Sequence, residues 1–244
     1  MSAAASVLYS DERVVAIAKP AGVSLATSRR DPDGAVQRLL AALDDAGRID
    51  HGLDPALLRL VHRLDVGTSG VVLLARDADA HRELVTAFTT RRVRKSYLAL
   101  VWGHLRPPAG RLDSPLGPDR RDRRRMVVDP AGRPARSDYE TLARGPHVAR
   151  LRLEPLTGRT HQLRVHLASA GHPIVGDDLY GGPRHRGVAG ARLRRALDVG
   201  RPLLHAWRLA LPAGRAIGEL IVTAPLPADF TVVLAALGIP PPGG

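Results

Sequence analysis

The chain has 244 residues, of which 44% are apolar, and its 36 lysines and arginines exceed its 24 aspartates and glutamates to give a formal net charge of +12. This composition can build a sizeable core, and the basic surplus indicates a polyanionic partner, most simply nucleic acid, although an arginine-rich proteome would produce the same surplus. The absence of cysteine excludes disulfides, cysteine-ligated zinc and thiol nucleophiles.

The sequence shows no targeting or membrane-spanning pattern. Its first five residues, MSAAA, lack the basic and apolar regions of an export signal. No apolar run approaches the roughly 20 residues that are needed to span a bilayer. We therefore predict a cytoplasmic protein without a membrane partner. In the absence of a coiled-coil pattern, we expect a monomer.

Short strands and amphipathic helices alternate in the first hundred residues. The run at 33–43 places four apolar side chains on one helical face, with Asp33 as a candidate N-cap and Gly47 as a candidate stop. Asp77 or Asp79 can cap a second helix that ends near Thr90. The remaining predictions here are strands at 7–9, 14–18, 71–75 and 96–103, and a linker at 49–59.

Antiparallel strands and arginine-rich loops dominate the second half. The run at 148–153 alternates apolar residues with Arg150 and Arg152, as a half-buried strand does. The other predictions are a basic loop at 119–125, strands at 126–128, 136–142, 203–209 and 220–223, a helix at 161–170, an exposed loop at 181–201 and a terminal Pro/Gly tail. We predict one domain over 1–244 of the α+β class, with a mixed, mostly antiparallel sheet and flanking helices.

The stretch VHRLDVGTSG at 61–70 carries the most specific chemistry. Asp65 lies between the basic pair His62–Arg63 and a Gly/Thr/Ser turn, and an apolar strand follows at 71–75. A carboxylate on a turn that a rigid strand anchors is well placed to be a reacting group. Taken alone, such a pattern is more often an ordinary turn residue or a surface ion pair than a reacting group.

Four separated stretches resemble, in the same order, the motifs of the RluA-type pseudouridine synthases. They are HRLD…TSG at 62–70, RKSY at 94–97, TGRTHQLRVH at 157–166 continuing as GHPIVGD at 171–177, and LHA at 204–206. KPAG at 19–22 also resembles the family's NKPAG element, with Ala18 where asparagine is usual. Because this element begins within the first twenty residues, we expect no S4-type RNA-binding module before it. The resemblance implies the pseudouridine synthase fold.

The same resemblance implies the catalytic residues. Asp65 is expected to be the nucleophile that isomerises uridine in RNA, forming a covalent adduct while the N-glycosidic bond is broken and the uracil is rejoined through carbon. Attack on the ribose and attack on the base are both open, and no cofactor is required. Arg164 is expected to keep Asp65 ionised, with an exposed helix arginine as the alternative. Tyr97 is expected to stack on the target base, with a buried strand aromatic as the alternative.

Further residues are expected to contact the RNA. Arg63 suits the backbone of an extracted nucleotide, and Arg159 suits a phosphate. Leu204 either closes the uracil pocket or packs in the core. The set of expected substrate-binding residues is His62, Arg63, Lys95, Arg159 and Leu204, and the arginine clusters at 91–94, 120–125 and 184–195 fit phosphate contact. His161 and His166 have no carboxylate at ligand spacing, so we predict no metal.

We therefore predict a cofactor-free, stand-alone pseudouridine synthase that acts on structured RNA, either ribosomal or transfer RNA. A non-catalytic RNA-binding or ribosome-assembly factor on the same fold is the first alternative. A DNA-binding protein is the second alternative, favoured by the net charge only, since the sequence contains no helix-turn-helix or zinc pattern.

Overall fold

A computed structural model describes residues 5–27, 34–44 and 53–242. The chain divides into two compact units, Met1–Lys95 with Ala206–Pro227 and Ser96–His205 with Ala228–Gly244. The single domain over 1–244 stays a prediction. Within the described residues, no helix combines the length and the apolar character that a membrane crossing requires.

The structure contains strands and helices in both halves of the chain. In chain order they are β1 (Ser6–Ser10), β2 (Val14–Lys19), α1 (Gly34–Asp44), β3 (Arg59–Leu60), β4 (Ser69–Ala75), α2 (Ala78–Thr89), β5 (Arg94–Trp102), β6 (Ala109–Asp113), β7 (Leu116–Pro118), β8 (Met126–Val128), β9 (Arg136–Gly145), β10 (Val148–Pro155), α3 (Gln162–Ser169), α4 (Ala191–Ala196), β11 (Leu204–Leu211), β12 (Leu220–Thr223) and α5 (Ala228–Ala236).

The first unit is built on antiparallel strands in the order β1, β2, β4, with β3 paired to the end of β4 and β12 paired to β11. Strands β2 and β4 are buried along their whole length, which explains their continuous apolar sequences. Asp77 caps α2 by accepting hydrogen bonds from the backbone N–H groups of Asp79 and Ala80, so of the two predicted caps Asp77 is the one used.

The second unit is built on antiparallel strands in the order β5, β10, β9, β6, and β7 pairs with β8 in a separate hairpin. The apolar residues at alternate positions of β5 and β10 share one core cluster with Leu163 of α3, as the period-two pattern predicts. The α+β class with a mostly antiparallel sheet and flanking helices is therefore confirmed.

Several predicted elements differ from the structure. The supposed loop at 181–201 contains helix α4, the turn-rich stretch after Pro107 contains β6, and the supposed tail contains helix α5. Part of the supposed linker forms a 3₁₀ turn (Pro55–Leu57) and β3. Helix α5 reads ADFTVVLAA, which lacks the apolar-polar periodicity that identifies amphipathic helices. The proposed cap Asp33 and stop Gly47 of α1 lie outside the described residues.

Arg150 also departs from the predicted alternation, because the face opposite the core is covered. Its side chain is buried, and its Nη1 donates to the carbonyl of Pro240, beyond α5. A Cβ added to Gly145, at the end of β9, would lie 2.9 Å from Cδ1 of Ile239. The segment after α5 therefore buries a strand position that the sequence pattern assigns to solvent.

Candidate active site

The turn that carries Asp65 is held by backbone hydrogen bonds. The N–H of Thr68 donates to the carbonyl of Asp65 at 3.0 Å, and the N–H of Gly22 donates to the carbonyl of Val66 at 2.8 Å. Residues Lys19 and Gly70 are paired across β2 and β4. The KPAG turn and the Asp65 turn therefore lie side by side, where β2 ends and β4 begins. Asp65 is half-buried on the second of these turns.

The side chain of Lys19 connects these two turns through hydrogen bonds to their backbone carbonyls. Its side chain is only 1% exposed, and its ammonium donates to the carbonyls of Pro20, Val23 and Val66 at 2.9, 3.0 and 3.2 Å. Carbonyl oxygens are suitable acceptors for the three N–H groups of a buried ammonium. Lys19 therefore anchors the residue next to Asp65, and its retention as one of two lysines in the chain has a structural reason.

Gly70 permits the close approach of β4 and β11. It has φ +122°, and a Cβ at this position would lie 2.6 Å from the carbonyl carbon of Ala206. Neither the backbone conformation nor the space admits a side chain. The glycine of the TSG motif and the alanine of the LHA motif thus meet within the first unit.

The side chain of His62 is held in place by contacts with β4 and α2. Its Nε2 accepts a hydrogen bond from the N–H of Leu73 at 3.0 Å, and its ring stacks on Phe88 at 4.5 Å. Burial, together with the nearby ammonium of Lys95, lowers the pKa of His62 to about 3. The imidazole is therefore neutral at physiological pH and fixes the strand that follows the Asp65 turn, while its expected contact with RNA stays a prediction.

Arg63 and Lys95 are two cations close in sequence to the motifs of the first unit and available to a ligand. Arg63 is exposed, and neither side chain has an ion pair or hydrogen bond within the part of the chain that the structure describes. Burial lowers the pKa of Lys95. A partly desolvated ammonium gains more from an anionic ligand than a fully hydrated one does.

In the second unit, Tyr97 and Leu204 both contact the same hydrophobic core cluster. Leu204 is 3% exposed within the core cluster that contains Leu163, and the half-buried Tyr97 packs against that cluster. The core-packing alternative for Leu204 therefore has direct support. Tyr97 pairs with Leu153 across β5 and β10, which holds its ring on a rigid strand.

Arg164 has a partner that the sequence interpretation missed. Its Nε and Nη2 donate to the two carboxylate oxygens of Asp177 at 2.6 and 2.8 Å, and the two side chains are 10% and 1% exposed. The alternative of an exposed helix arginine is therefore wrong. The signal for Asp177 was present, because it is the acid that ends the GHPIVGD motif.

Gln162 organises the TGRTHQ turn. Its amide oxygen accepts from Thr157 Oγ1 at 2.7 Å and from the N–H of Arg159 at 3.0 Å, and its amide nitrogen donates to Ser137 Oγ at 2.9 Å. The half-exposed Arg159 donates through Nε to the carbonyl of Pro134 at 3.1 Å. This anchoring leaves the guanidinium partly accessible to a phosphate.

The motif histidines make hydrogen bonds to the surrounding structure. His166 lies 3.0 Å from the carbonyl of Ser114, His172 lies 2.8 Å from the carbonyl of Trp102, and His161 lies 2.9 Å from the hydroxyl of Tyr180. Burial lowers the pKa of His166, which favours its neutral form. Among the residues placed by the structure, no three potential ligands are grouped around a metal position.

The predicted site residues thus fall into two groups. The first unit holds Asp65 with His62, Arg63 and Lys95, and the second holds Tyr97, Arg159, Arg164 and Leu204. The contacts described above hold each group in place within its own unit. The meeting of Asp65 with Tyr97 and Arg164 stays a prediction.

Comparison with known proteins supports one family. The model of the RNA pseudouridylate synthase family matches residues 13–169. An uncharacterized RNA pseudouridine synthase of Chloroflexus aurantiacus is 45% identical over 90% of this chain and 65% of its own length, so the chain spans just under two thirds of that relative. The dual-specificity RNA pseudouridine synthase RluA of Escherichia coli K12 is 35% identical over 92% of this chain and 93% of its own length.

A solved structure agrees with these relatives. Human RNA pseudouridylate synthase domain containing 4 superimposes with a TM-score of 0.74 at 29% identity, covering 98% of this chain and 95% of that one. The match extends over both units, and the sequence-based prediction of an RluA-type enzyme is confirmed at the level of the family. The chain belongs to the RNA pseudouridylate synthase family, the enzymes that isomerise uridine in RNA to pseudouridine.

Proposed function

We propose that this protein isomerises specific uridines in structured ribosomal or transfer RNA, with Asp65 as the nucleophile. The observation that carries the proposal is the Asp65 turn itself, which the buried Lys19 and the N–H of Gly22 hold through the carbonyl of Val66. A half-buried carboxylate on a turn fixed in this way is preorganised for attack.

The reaction needs a nucleophile and a protected site, and no redox partner. The bond between N1 of uracil and C1′ of ribose breaks, the base rotates, and a bond forms between C5 and C1′. The proton on C5 is lost to water and N1 ends protonated, so the atoms balance without a cofactor. Asp65 forms the transient covalent bond, either to the ribose or to the base.

Tyr97 and Arg164 are assigned supporting roles in this proposal. The ring of Tyr97, held on β5, offers a stacking face for the uracil. The guanidinium of Arg164 is assigned as the ion-pair partner of Asp65. Its two hydrogen bonds to Asp177 support the assignment because they fix the plane of a long side chain before the substrate arrives.

RNA binding is assigned to basic side chains that are exposed or half-exposed. Arg63 lies two residues before the nucleophile and suits the backbone of the extracted nucleotide, with Lys95 and Arg159 as further phosphate contacts. One relative, from Haemophilus ducreyi, is called ribosomal large subunit pseudouridine synthase D and is 36% identical over 95% of this chain. Its name supports ribosomal RNA as a candidate substrate. The name of RluA, a dual-specificity RNA pseudouridine synthase, supports RNA as the substrate class, and transfer RNA is the second candidate of this proposal.

The decisive experiment measures tritium release from RNA labelled at C5 of uridine. The wild-type protein and Asp79→Asn, which changes an exposed aspartate on α2, should release tritium, while Asp65→Asn should release none and keep its fold. Comparing pseudouridine maps of RNA from cells with and without the protein would identify the position. Turnover by Asp65→Asn would refute the nucleophile, and RNA binding without any turnover by the wild-type protein would favour the RNA-binding factor.

The remaining parts of the proposal are a monomeric state, a cytoplasmic location and independence of metal and cofactor. Size-exclusion chromatography with light scattering tests the first, and the tritium assay in excess EDTA with dialysed protein tests the last. Competition between folded RNA and duplex DNA in the binding assay tests the DNA-binding alternative. Preference for DNA would contradict the proposed substrate class.

A further inference from the structure

Tyr180 connects three segments of the second unit. Its hydroxyl accepts a hydrogen bond from the N–H of Met126 at 2.8 Å, at the start of β8, and lies 2.9 Å from Nδ1 of His161. Burial raises the pKa of the phenol, so the hydroxyl keeps its proton and can donate it to His161. His161 has φ +54°, an unfavourable conformation for a residue with a side chain, and this contact stabilises it immediately before α3.

The ring of Tyr180 also lies against two guanidinium groups. Cζ of Arg164 is 5.0 Å from the ring centroid, and Cζ of Arg125 is 5.2 Å from it. Two like charges that share one aromatic ring are each attracted to its π-electrons, which offsets part of their mutual repulsion. The ring is therefore a common support for Arg125 and Arg164.

Arg125 closes the basic loop at 119–125. Its Nη1 donates to the carbonyl of Leu179 at 2.8 Å, and its Nε lies 3.8 Å from a carboxylate oxygen of Asp119 at the other end of the loop. Within the loop, the side chains of four arginines are exposed to solvent, namely Arg120, Arg121, Arg123 and Arg124. This density of positive charge suits phosphate groups of RNA.

The hairpin that carries this loop is packed on α3. Met126 of β8 and Tyr180 pack against a small cluster that contains Leu116 of β7 and Val165 of α3. Val165 directly follows Arg164. Packed side chains therefore connect the hairpin to the helix position that carries Arg164.

We propose that Tyr180 is a positioning residue that couples the binding of RNA phosphates on the 119–125 loop to the placement of the Arg164 guanidinium. The inference rests on the proposed role of Arg164 in catalysis. Phosphates that engage the exposed arginines stabilise the loop arrangement in which Arg125 covers the ring. The same ring orients Arg164, so RNA binding and the arrangement of Arg164 favour each other reciprocally.

Two substitutions separate the hydroxyl from the ring. Tyr180→Phe keeps both cation–π contacts and loses the bonds to Met126 and His161, so KM for RNA should rise about three- to ten-fold while kcat stays within about two-fold of wild type. Tyr180→Leu also removes the ring, so kcat should fall about ten-fold, the size of one desolvated cation–π contact. A kcat near that of wild type in Tyr180→Phe, together with a low kcat in Tyr180→Leu, would identify the aromatic ring as the required group. A general loss of packing would not depend on the aromatic ring in this way.

A double-mutant cycle tests the coupling directly. Arg121→Gln with Arg123→Gln should lower both RNA affinity and kcat in the wild-type background, but only RNA affinity in the Tyr180→Leu background. Tyr139→Leu is the matched control, because it removes another half-buried tyrosine ring of this unit, whose hydroxyl donates to the carbonyl of Pro107 at 3.1 Å. Its kcat should equal that of wild type.

Three outcomes overturn the proposal. They are wild-type kcat in Tyr180→Leu, equal effects of the loop substitutions on kcat in both backgrounds, and a loss of activity in Tyr180→Leu that is explained entirely by a smaller folded fraction in circular dichroism. The Asp65→Asn variant distinguishes these outcomes from failure of the proposed function. If Asp65→Asn is active, the assigned chemistry is wrong, whatever the Tyr180 variants do.

Discussion

We predict that burial decides how much an arginine–aspartate pair contributes to the stability of this protein. The second unit allows the comparison, because it contains the buried pair Arg164–Asp177 and an exposed pair of similar geometry. Arg111 donates through Nε and Nη2 to both oxygens of Asp138 at 2.6 and 3.0 Å, nearly the geometry of the Arg164 pair. The side chains of the surface pair are 53% and 38% exposed, against 10% and 1% for the buried pair. The two pairs therefore differ mainly in their access to water.

The substitution Asp177→Asn removes the carboxylate charge that the buried Arg164 guanidinium contacts at 2.6 and 2.8 Å. Breaking a buried pair in this way costs about 3–5 kcal/mol, which corresponds to a fall in melting temperature of roughly 10 °C for a chain of this size. We expect Asp138→Asn to leave the unfolding free energy within experimental error, because an exposed pair is compensated by water and screened by salt.

Urea denaturation and differential scanning calorimetry of the two variants measure this difference. Tritium release should also fall in Asp177→Asn measured below its melting temperature, because Arg164 loses the partner that fixes its plane. Equal destabilisation by the two substitutions, or full activity of Asp177→Asn, would refute the reasoning that burial makes the Asp177 contact both stabilising and positioning.

Three further predictions concern the first unit. Lys19→Met leaves three carbonyls without their shared donor and should lower the unfolding free energy by about 2–4 kcal/mol, measured by urea denaturation, while an unchanged midpoint would contradict the anchoring role. Gly70→Ala should destabilise the protein by about 3 kcal/mol or more through strain and overlap with β11, whereas Gly187→Ala, which meets no atom within 4 Å, should be neutral in the same thermal melt. His62 has a pKa lowered from 6.5 to about 3, so the unfolded state binds the extra proton and wild-type stability falls as pH drops from 6.5 toward 3. His62→Gln, which can still accept from the Leu73 N–H, should lose less stability over that range, and equal acid sensitivity in both proteins would count against the assignment.

Local sequence patterns predicted the elements that have a clear period or a clear cap. The alternation in β5 and β10 identified the core face, and Asp77 was one of two predicted caps of α2. The pattern failed where burial comes from distant segments. Arg150 alternates with apolar residues as a solvent-facing position does, yet the segment after α5 covers it, and no local pattern encodes contact with a segment 90 residues away.

In the candidate site, too, the sequence motifs identified individual residues but did not show which residues contact each other. The motifs identified Asp65, Tyr97 and Arg164 because reactive residue types recur at fixed spacings, and those spacings are readable in one dimension. Asp177 was visible as the acid that ends the GHPIVGD motif, but its pairing with Arg164 was not, because the turn after α3 brings together two residues that are thirteen positions apart. Tyr180 was missed for the same reason, since its contacts join residues from 125 to 180.

By itself, the sequence determined the family, the α+β class and the residue types available for catalysis, because these depend on composition, period and motif spacing. Only the tertiary structure decided which charges are buried and which partners compensate them: Lys19 with three carbonyls, Arg164 with Asp177, and Arg125 with the ring of Tyr180. Desolvation depends on every atom that surrounds a group in space. Most of those atoms belong to residues that are distant along the chain.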